Sequence, residues 1–498
     1  MRFTLKTILF FFLIIKNAFC ENQIIRIGTT AVAPSLGNPY KYTGHPHLYT
    51  FSATFDGLTR FDEEGKLNPW LAISWENKTP LTWEITLRNN VFFSSGRSFN
   101  SDAVIAVIKY LLSAEGVTEP VATQFSFIRD AEKVDDYKLR IHTHMPSPFL
   151  PRTLPLLHIV DPNQWKTLGP LGFSRMPIGT GPFQPVKYLN NKIILKAFKG
   201  SWRKPKVESI EIIAVPDAYT RTLGLVSDQL DIALSIGPDE IRFIENSGGL
   251  GVAWLSADLW SINFHHNKGT PIDNLYVREA LNLAINREEL INGLLNGVPD
   301  IPSQPAPRNA YGFNEKLKPI KYDPERAKIL LANAGFPNGF SFVLEGAIGV
   351  GANDAAMYQK VAQDLSAIGV EMKIQSIPVS QLIRNVIEGG WEGDAFGLNY
   401  TSLPTLDVLK SMRNHSCLWP KAWYCNEKIM PYINEARVTF DKKKSLDLRH
   451  KIMKFYRNQW VSIFLYQAVR FAGIKQNLKG FSEIHNFIPY EDMYFIKQ

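Results

Sequence analysis

Two different periodicities of apolar residues follow one another along this chain, and they restrict its fold more than any other feature. In residues 82–88 apolar and polar residues alternate with the two-residue period of a half-buried strand. After Asn100, apolar residues return every three or four positions at Val104, Val107 and Leu111, as on one face of a helix. No short repeat links these patterns. The sequence therefore predicts an α/β fold.

Further elements are predicted by the same two patterns. Residues 24–30, 138–142 and 209–213 are predicted strands. A helical stretch with one buried face is predicted from Pro271 to about residue 295. Another helix is predicted to begin at Asp323-Pro324, a capping residue followed by proline in the first turn, and to end at Gly335.

The chain is too long for one hydrophobic core. It has 498 residues, of which 45% are hydrophobic, whereas single cores stop growing at about 250 to 300 residues. A loop rich in glycine and proline at 177–183 marks a change of region. Two or three domains are expected, and this loop is better explained as a tight turn between two of them than as a phosphate cradle, because Pro182 has no N–H to donate.

The N-terminus has the composition of a secretory signal. Arg2 and Lys6 precede an apolar run at 8–15, and small residues follow at Ala18 and Cys20. We expect residues 1–20 to be a signal peptide that is cleaved after Cys20. The alternative is that Cys20 carries a lipid anchor, although the bulky Phe19 before it disfavours that outcome. No later segment is long and apolar enough to span a membrane.

The charge balance gives little support for a polyanionic partner. The chain has 55 Lys and Arg against 47 Asp and Glu, and the excess falls by three when Arg2, Lys6 and Lys16 leave with the signal. No dense basic block is present, so we expect no nucleic-acid partner.

Two cysteines remain in the exported chain, Cys417 and Cys425. Their close spacing in an exported protein favours a disulfide that closes a short loop. A metal site that uses nearby His415 is the alternative. The histidine pairs His45/His47 and His142/His144 are further candidate ligands of a transition metal.

Sequence motifs of the common enzyme classes are missing. There is no Gly-x-Ser-x-Gly elbow, no His-Glu-x-x-His helix and no Gly-x-x-x-x-Gly-Lys-Ser/Thr loop. The chain is therefore not expected to be an enzyme and needs no cofactor. Tryptophan and tyrosine residues near predicted loops instead suit a cleft that grips a ligand, since flat rings give contact area with few rotamers to freeze. They are Trp254, Trp260, Trp391, Tyr400, Trp419, Trp423 and Tyr424.

Several stretches, taken in order, resemble the family 5 extracellular solute-binding proteins, which include the peptide-, oligopeptide- and nickel-binding subunits of bacterial ATP-driven (ABC) importers. The matching stretches span most of the chain: 71–76, 82–96, 179–183, 277–287 and 322–335. The resemblance implies a two-lobed periplasmic-binding-protein fold of type II with an extra, inserted strand-rich domain. The predicted map assigns 21–44, 184–254 and 471–498 to lobe I, 45–183 to the inserted domain and 255–470 to lobe II.

The resemblance also implies a function. The lobes would close on a solute, a peptide or peptide-like ligand, and a monomer in the periplasm would deliver it to an inner-membrane ABC permease. The crossings near 254 and 470 would form the hinge. Closure would follow from the ligand's preference for the closed state, without any bond being made or broken.

The expected ligand contacts follow from the same family analogy. They are Thr30 and Ala31 after the first strand, Trp260 as an aromatic wall, Asn399, Tyr400 and Thr401 for polar bonds, and Arg413 for a ligand carboxylate. Peptide-binding members often carry an Asp where Thr401 and Ser402 stand, and a buried ligand ammonium without a countercharge is costly. Free-amine peptides therefore require a substitute, with Asp407 and Asp394 as candidates.

Other functions remain open at this level. One is binding of a non-peptide solute, such as a nickel–chelator complex or haem, which the missing Asp and the histidine pairs motivate. A secreted hydrolase and an extracytoplasmic chaperone or sensor are the alternatives from other classes.

Overall fold

The structure is a computed structural model that describes residues 23–42, 44–266 and 268–496. Its strands are β1 Ile24–Thr29, β2 Thr59–Phe61, β3 Leu67–Pro69, β4 Ala72–Thr79, β5 Thr82–Leu87, β6 Ile128–Asp135, β7 Lys138–Thr143, β8 Phe183–Leu189, β9 Lys192–Ala197, β10 Ser209–Ala214, β11 Ile232–Ile236, β12 Leu250–Phe264, β13 Phe340–Ala347, β14 Val370–Ile377, β15 Ala395–Gly397, β16 Tyr400–Thr401, β17 Ser462–Ile474, β18 Leu478–Lys479 and β19 Tyr494–Phe495.

The helices surround these strands. They are α1 His47–Thr54, α2 Ser101–Leu111, α3 Leu150–Thr153, α4 Pro162–Arg175, α5 Ala218–Val226, α6 Pro238–Asn246, α7 Leu275–Leu283, α8 Arg287–Leu294, α9 Pro324–Asn333, α10 Asp354–Ser366, α11 Val379–Glu388, α12 Val408–Met412, α13 Met430–Val438 and α14 Lys442–Gln459. Short 3₁₀ turns occur at Gly116–Thr118, Ala122–Gln124, Leu154–Leu156, Pro271–Asp273 and Tyr490–Asp492.

One large sheet runs through the molecule in the order β14-β13-β15-β12-β17-β11-β1-β10-β9-β8, with β16 added beside β12. We call the half that contains β1 and β8–β11 the first lobe, and the half that contains β13–β16 with helices α7–α14 the second lobe. The predicted α/β fold is confirmed.

Strands β12 and β17 belong to both lobes. They pair antiparallel from Leu250 opposite Ile474 to Asn263 opposite Ser462, and Trp254 lies opposite Arg470. The pairing register shifts between Leu255 and Leu259. These two strands link the lobes directly, both through the chain and through their hydrogen bonds. The irregular stretch after residue 255 changes the direction in which the following side chains point.

A separate four-stranded sheet, in the order β4-β5-β7-β6, builds the inserted domain. Helix α2 packs on this sheet, and Asn100 caps the helix by accepting a hydrogen bond from the N–H of Ala103. The domain has its own core of large apolar side chains, among them Phe51, Trp83 and Ile108. The predicted strand-rich insertion is confirmed, while the exact domain boundaries stay a prediction.

The loop after α4 returns the chain from the inserted domain to the first lobe. A side chain at Gly179 or Gly181 would meet the backbone oxygens of Thr54 and Ala53 at 2.0 and 2.4 Å. Glycine is therefore required, because the loop backbone lies directly against the end of α1. Strand β8 begins immediately afterwards at Phe183.

The single helical stretch predicted from Pro271 is divided in the structure into a 3₁₀ turn and two helices, α7 and α8. The break occurs at Asn286, whose side chain caps α8 and whose own N–H donates to Asp364 at 2.9 Å. The helix after Asp323 is confirmed, with Asp323 as its N-cap and Gly335 in the left-handed region just beyond its end.

The predicted signal peptide and Cys20 lie outside the described residues. Within the described ranges, no helix has the length and apolarity needed to cross a membrane.

Candidate ligand-binding cleft

A cavity of about 490 Å³ lies where the two lobes and the inserted domain meet. The inserted domain contributes Gly57, residues 59–61, Trp70, Gln124, residues 155–156 and His158. The second lobe contributes Asp258 and residues from 401 to 410, and the C-terminal part of the chain contributes Arg470 and 484–487. We call this cavity the cleft. Segments more than 400 residues apart in sequence form its walls, which only the tertiary fold brings together.

One wall of the cleft is a stack of side chains around Arg60. Its guanidinium carbon lies 3.9 Å from the ring centre of Phe487 and 4.5 Å from that of Trp70. Glu491 is its ionic partner at 3.9 Å. Burial, and then repulsion from Arg203, lowers the pKa of Arg60 to about 10. The rings of Phe487 and Trp70 attract this cation and favour its position in the wall.

A buried carboxylate, that of Glu483, supports another part of the cleft wall. Glu483 contacts His45 Nε2 at 3.2 Å and Arg470 Nη1 at 3.4 Å. Burial pushes the pKa of Glu483 upward, but His45 and Arg470 pull it further down, so it lies below the ordinary range of a glutamate. Glu483 is therefore ionised and offsets the charge of Arg470 at the edge of the cleft.

Asp258 brings a second carboxylate to the cleft. It lies on β12 directly opposite Thr401 of β16, and its contact with Ser256 Oγ is 3.3 Å long. Among the described residues, none forms an ion pair with it within 4.0 Å. An unpaired carboxylate at a cavity wall is suited to binding a ligand cation.

Lys410 places a cation on the same lobe. Its Nζ donates to Gln124 Oε1 of the inserted domain at 2.7 Å. Burial, and then repulsion from Arg413, lowers the pKa of Lys410 to about 8. The described residues provide no carboxylate within 4.0 Å, so this ammonium lies against the cleft with an amide as its partner.

The expected polar residues at 399–401 have different positions. Thr401 lines the cleft. Tyr400 is buried behind it, where its ring stacks on His415 at 3.8 Å and its hydroxyl bonds Ser462 at 2.9 Å. Asn399 has a buried side-chain oxygen without a protein partner among the described residues. These two residues support the wall from behind.

The other expected contacts lie away from the cleft. Trp260 is buried in the core of the second lobe, where its ring fills the space beside Gly351. Thr30 and Ala31 are exposed at the end of β1 and are not part of the cleft lining that the described residues form. Arg413 lines a neighbouring cavity.

Neither of the substitutes considered for the missing Asp is free to bind a ligand amine. Asp407 forms a buried ion pair with Arg449 at 2.7 Å and caps α12. Asp394 accepts the backbone N–H of Val343. The geometry instead places Asp258, on the adjacent strand, beside the position where the resemblance led us to expect an Asp.

The predicted disulfide is present between Cys417 and Cys425. His415 Nδ1 is not free to bind a metal there, because it accepts a hydrogen bond from Trp423 Nε1 at 3.3 Å. Within the described chain, Cys417, Cys425 and Glu427 form the one cluster close enough to hold an ion, and the disulfide occupies both of its sulfur atoms.

The histidine pairs do not come together. His47 stacks on Tyr42 at 3.8 Å, whereas His142 bonds Thr82 at 3.1 Å on the sheet of the inserted domain. His45 alone of these four lines the cleft, where His158 and His485 join it.

Comparison with known proteins agrees with this architecture. Residues 66–413 match the sequence pattern of the bacterial extracellular solute-binding proteins, family 5 Middle. The chain belongs to this family. The family 5 binding protein is 26% identical over 448 residues to the glutathione-binding protein GsiB of Pectobacterium atrosepticum, covering 86% of this chain and 85% of GsiB.

Two further relatives show the range of the family. The nickel-binding periplasmic protein of Escherichia coli is 28% identical over 382 residues, which is 70% of each chain. The structure of HbpA2 from Haemophilus parasuis superposes with a TM-score of 0.82 at 20% identity, covering 95% of this chain and all of the other. Family 5 consists of solute-binding proteins rather than enzymes, and this agrees with the absence of catalytic motifs.

Sequence reasoning missed most of the cleft of this binding protein. Arg60, Asp258, Lys410, Arg470 and His485 all line it, but none stands in a motif. Asp258 lies directly opposite the expected contact Thr401 on the neighbouring strand. That pairing is a tertiary contact between residues 143 positions apart, so it could not be seen in the sequence.

Proposed function

We propose that this family 5 protein captures a peptide or peptide-like solute in the cleft and delivers it to an ATP-driven permease in the inner membrane. The observation that carries the proposal is the cleft itself, a cavity of about 490 Å³ formed jointly by both lobes and the inserted domain. A ligand bound there contacts all three parts at once. It therefore favours their closed arrangement by its differential affinity for that state.

The charges of the cleft suit a zwitterionic ligand. Asp258 supplies a countercharge for a free amino group, while Arg60, Lys410 and Arg470 offer donors to carboxylate and carbonyl oxygens. A buried ammonium without a partner costs several kcal/mol, on the order of 3 to 5. Asp258 thus removes the objection to free-amine peptides that Thr401 and Ser402 raise.

The proposed location is the periplasm, reached by export and cleavage after Cys20. Support comes from the N-terminal composition and from a family of extracellular binding proteins. Intact-mass measurement of the exported protein tests this: a chain that starts at Glu21 agrees with it, whereas a lipid-modified Cys20 shows a tethered protein.

Ligand capture is tested on the mature chain purified from the periplasm. Native mass spectrometry under gentle conditions should reveal a retained peptide-sized ligand, and thermal-shift measurements should show that short free-amine peptides raise the melting temperature. If no peptide library stabilises the protein while another solute class does, peptide capture is wrong.

A metal complex or haem is the second candidate, because His45, His158 and His485 line the cleft. Among the described residues, His45 Nδ1 and His158 Nδ1 have no hydrogen-bond partner. Neutral imidazole is a common ligand of transition metals and haem iron. Titration with haem and with nickel in the presence of free histidine distinguishes this candidate, since a spectral shift that is lost in His45→Ala would support it.

A further inference from the structure

A second cavity of about 460 Å³ lies beside the cleft, between the inserted domain and the second lobe. The two cavities share Lys410 and Gln124 in their walls. The hydrogen bond between Lys410 Nζ and Gln124 Oε1 therefore stands at the boundary between them. We call the second cavity the basic chamber.

Cations dominate the chamber walls. Lys410, Arg413, Arg437 and Arg449 all line it, together with a single carboxylate, that of Asp407. Asp407 is already taken up by Arg449, with contacts of 2.7 Å and 3.0 Å between the two groups. Lys410, Arg413 and Arg437 consequently form no ion pair within 4.0 Å among the described residues.

The three unpaired cations are also close enough to repel one another. Repulsion from Arg413 contributes to lowering the pKa of both Lys410 and Arg437, after burial as the larger cause. Arg413 itself is exposed, and its guanidinium lies 5.9 Å from the ring centre of Trp419. Lys410 and Arg437 lie in the last turns of α12 and α13, and Arg413 is the C-cap residue of α12. These positions suit cations, but none of the three has a carboxylate partner within 4.0 Å among the described residues.

A cavity lined by unpaired cations between low-dielectric walls concentrates negative charge. Guanidinium groups bind carboxylate or phosphate with two parallel hydrogen bonds, and a flexible lysine adds a third donor. An anion would relieve the mutual repulsion of the cations. The cleft and the chamber share Lys410 and Gln124 in their walls, so a ligand that replaces the hydrogen bond between these two side chains would extend from one cavity into the other.

We infer that the basic chamber receives an anionic group of the transported solute, and that the solute class is peptide-like molecules with at least one acidic group beyond the part held in the cleft. This rests on the proposed capture of a peptide-like ligand. On binding, the acidic group replaces Gln124 as the partner of Lys410, and Arg413 and Arg437 bind its other oxygens.

The test compares two nearly isosteric tripeptides, Ala-Glu-Glu and Ala-Gln-Gln, by isothermal titration calorimetry. The variant is Arg413→Gln/Arg437→Gln, and the control is Arg326→Gln/Arg384→Gln, which removes two exposed arginines from the same lobe. We expect the unmodified protein and the control to bind the acidic peptide at least about tenfold more tightly than the amide peptide. In the chamber variant this ratio should fall close to one.

Equal affinity for the two peptides in the unmodified protein overturns the inference and leaves peptide capture intact. A preference for the acidic peptide that survives in the chamber variant also overturns it. If neither peptide binds, citrate and inorganic phosphate become the probes in thermal-shift measurements, and peptide capture is judged separately by the peptide libraries. If either anion stabilises the unmodified protein but not the chamber variant, the inference that the chamber binds an anion is supported, and the anion that stabilises shows whether carboxylate or phosphate is preferred. If the unmodified protein and the variant respond equally, the inference is overturned.

Discussion

Asp258 and Thr401 face each other across neighbouring strands at the wall of the cleft. Exchanging an acidic and a neutral residue between two such positions moves the charge by one strand spacing, about 5 Å. A ligand amine can follow that shift without leaving the cleft. The placement of the countercharge is therefore a property of the strand pair and not of one sequence position.

Replacing Asp258 with Asn should weaken binding of free-amine peptides such as trialanine about 30-fold, or about 2 kcal/mol, because the ammonium loses its ionic partner. Calorimetry measures the change. N-acetyl-trialanine, which has no ammonium, should bind the variant and the unmodified protein equally.

Asp300→Asn is the matched control, since Asp300 is exposed and forms an exposed pair with Arg308. The folding stability of Asp258→Asn should be unchanged, because among the described residues the carboxylate of Asp258 has one polar contact, with Ser256 Oγ at 3.3 Å. An equal loss of affinity for acetylated and free peptides would show that Asp258 acts on the shape of the cleft and not on the amine.

Lys410 should make stability depend on pH in the alkaline range. Its pKa in the folded chain is about 8, below the ordinary value of 10.5, so the unfolded chain binds more protons between these values and stability rises with pH there. Lys410→Met removes the unpaired ammonium and should stabilise the protein at pH 7 by about 1 kcal/mol or less. Urea unfolding at pH 7 and pH 10 should show that this gain disappears at the higher pH.

The control for Lys410 is Lys328→Met, an exposed lysine whose partner Glu325 is one helical turn away. The effect of Lys328→Met on the free energy of unfolding should be the same at pH 7 and pH 10, unlike the effect of Lys410→Met. A gain that stays constant with pH would contradict the assignment of a lowered pKa to Lys410.

At the scale of elements, helix α12 and the disulfide loop after it link the cleft to the core of the second lobe. Asp407 caps α12, and Lys410 lies on it, one helical turn before Arg413. The loop from Cys417 to Cys425 carries Trp419, whose Nε1 donates to the backbone oxygen of Val386 at 2.8 Å. The loop thereby holds one end of the basic chamber in place.

Removing the disulfide with Cys417→Ser/Cys425→Ser should lower the free energy of unfolding by about 2 to 3 kcal/mol, as expected for a loop this short. Urea unfolding followed by tryptophan fluorescence measures this, because Trp419 and Trp423 lie within the loop. Dithiothreitol should have the same effect on the unmodified protein and none on the variant. A variant as stable as the oxidised parent would show that packing alone holds the loop.

At the scale of the whole molecule, Arg152 of the inserted domain contacts the second lobe. Its guanidinium donates to the backbone oxygens of Thr405 at 2.7 Å and Leu406 at 2.8 Å in the second lobe. Beside it, Phe61 packs against Leu406 in a small apolar cluster that also crosses the boundary. These contacts exist only when the inserted domain and the second lobe touch.

Arg152→Met should therefore reduce ligand affinity about tenfold, although Arg152 does not contact the ligand. The substitution removes hydrogen bonds from a charged donor that exist only in the closed state, so it destabilises that state. Small-angle scattering should also show a larger radius of gyration for the ligand-free variant. Arg129→Met, an exposed change in the same domain, is the control. Unchanged affinity and dimensions would show that Arg152 does not contribute to closure.

Local elements were predictable because their determinants are close in sequence. The strand at 82–87 and the helix capped by Asp323 needed only alternation and a cap, and Cys417 and Cys425 are near enough to pair with little loop entropy to overcome. The division at Asn286 was missed although Asn286 and Glu289 form a local cap, whereas the bond from the Asn286 backbone to Asp364 of a distant helix could not be seen in the sequence.

The sequence by itself determined several of the strands and helices and the family to which the chain belongs, since periodicity, caps and short motifs are local properties. Only the tertiary structure decided which charges face the ligand. Asp258 meets Thr401 through strand register, and Lys410 meets Gln124 through the contact of two domains. Such encounters depend on how separately folded layers pack, and no local pattern records that packing.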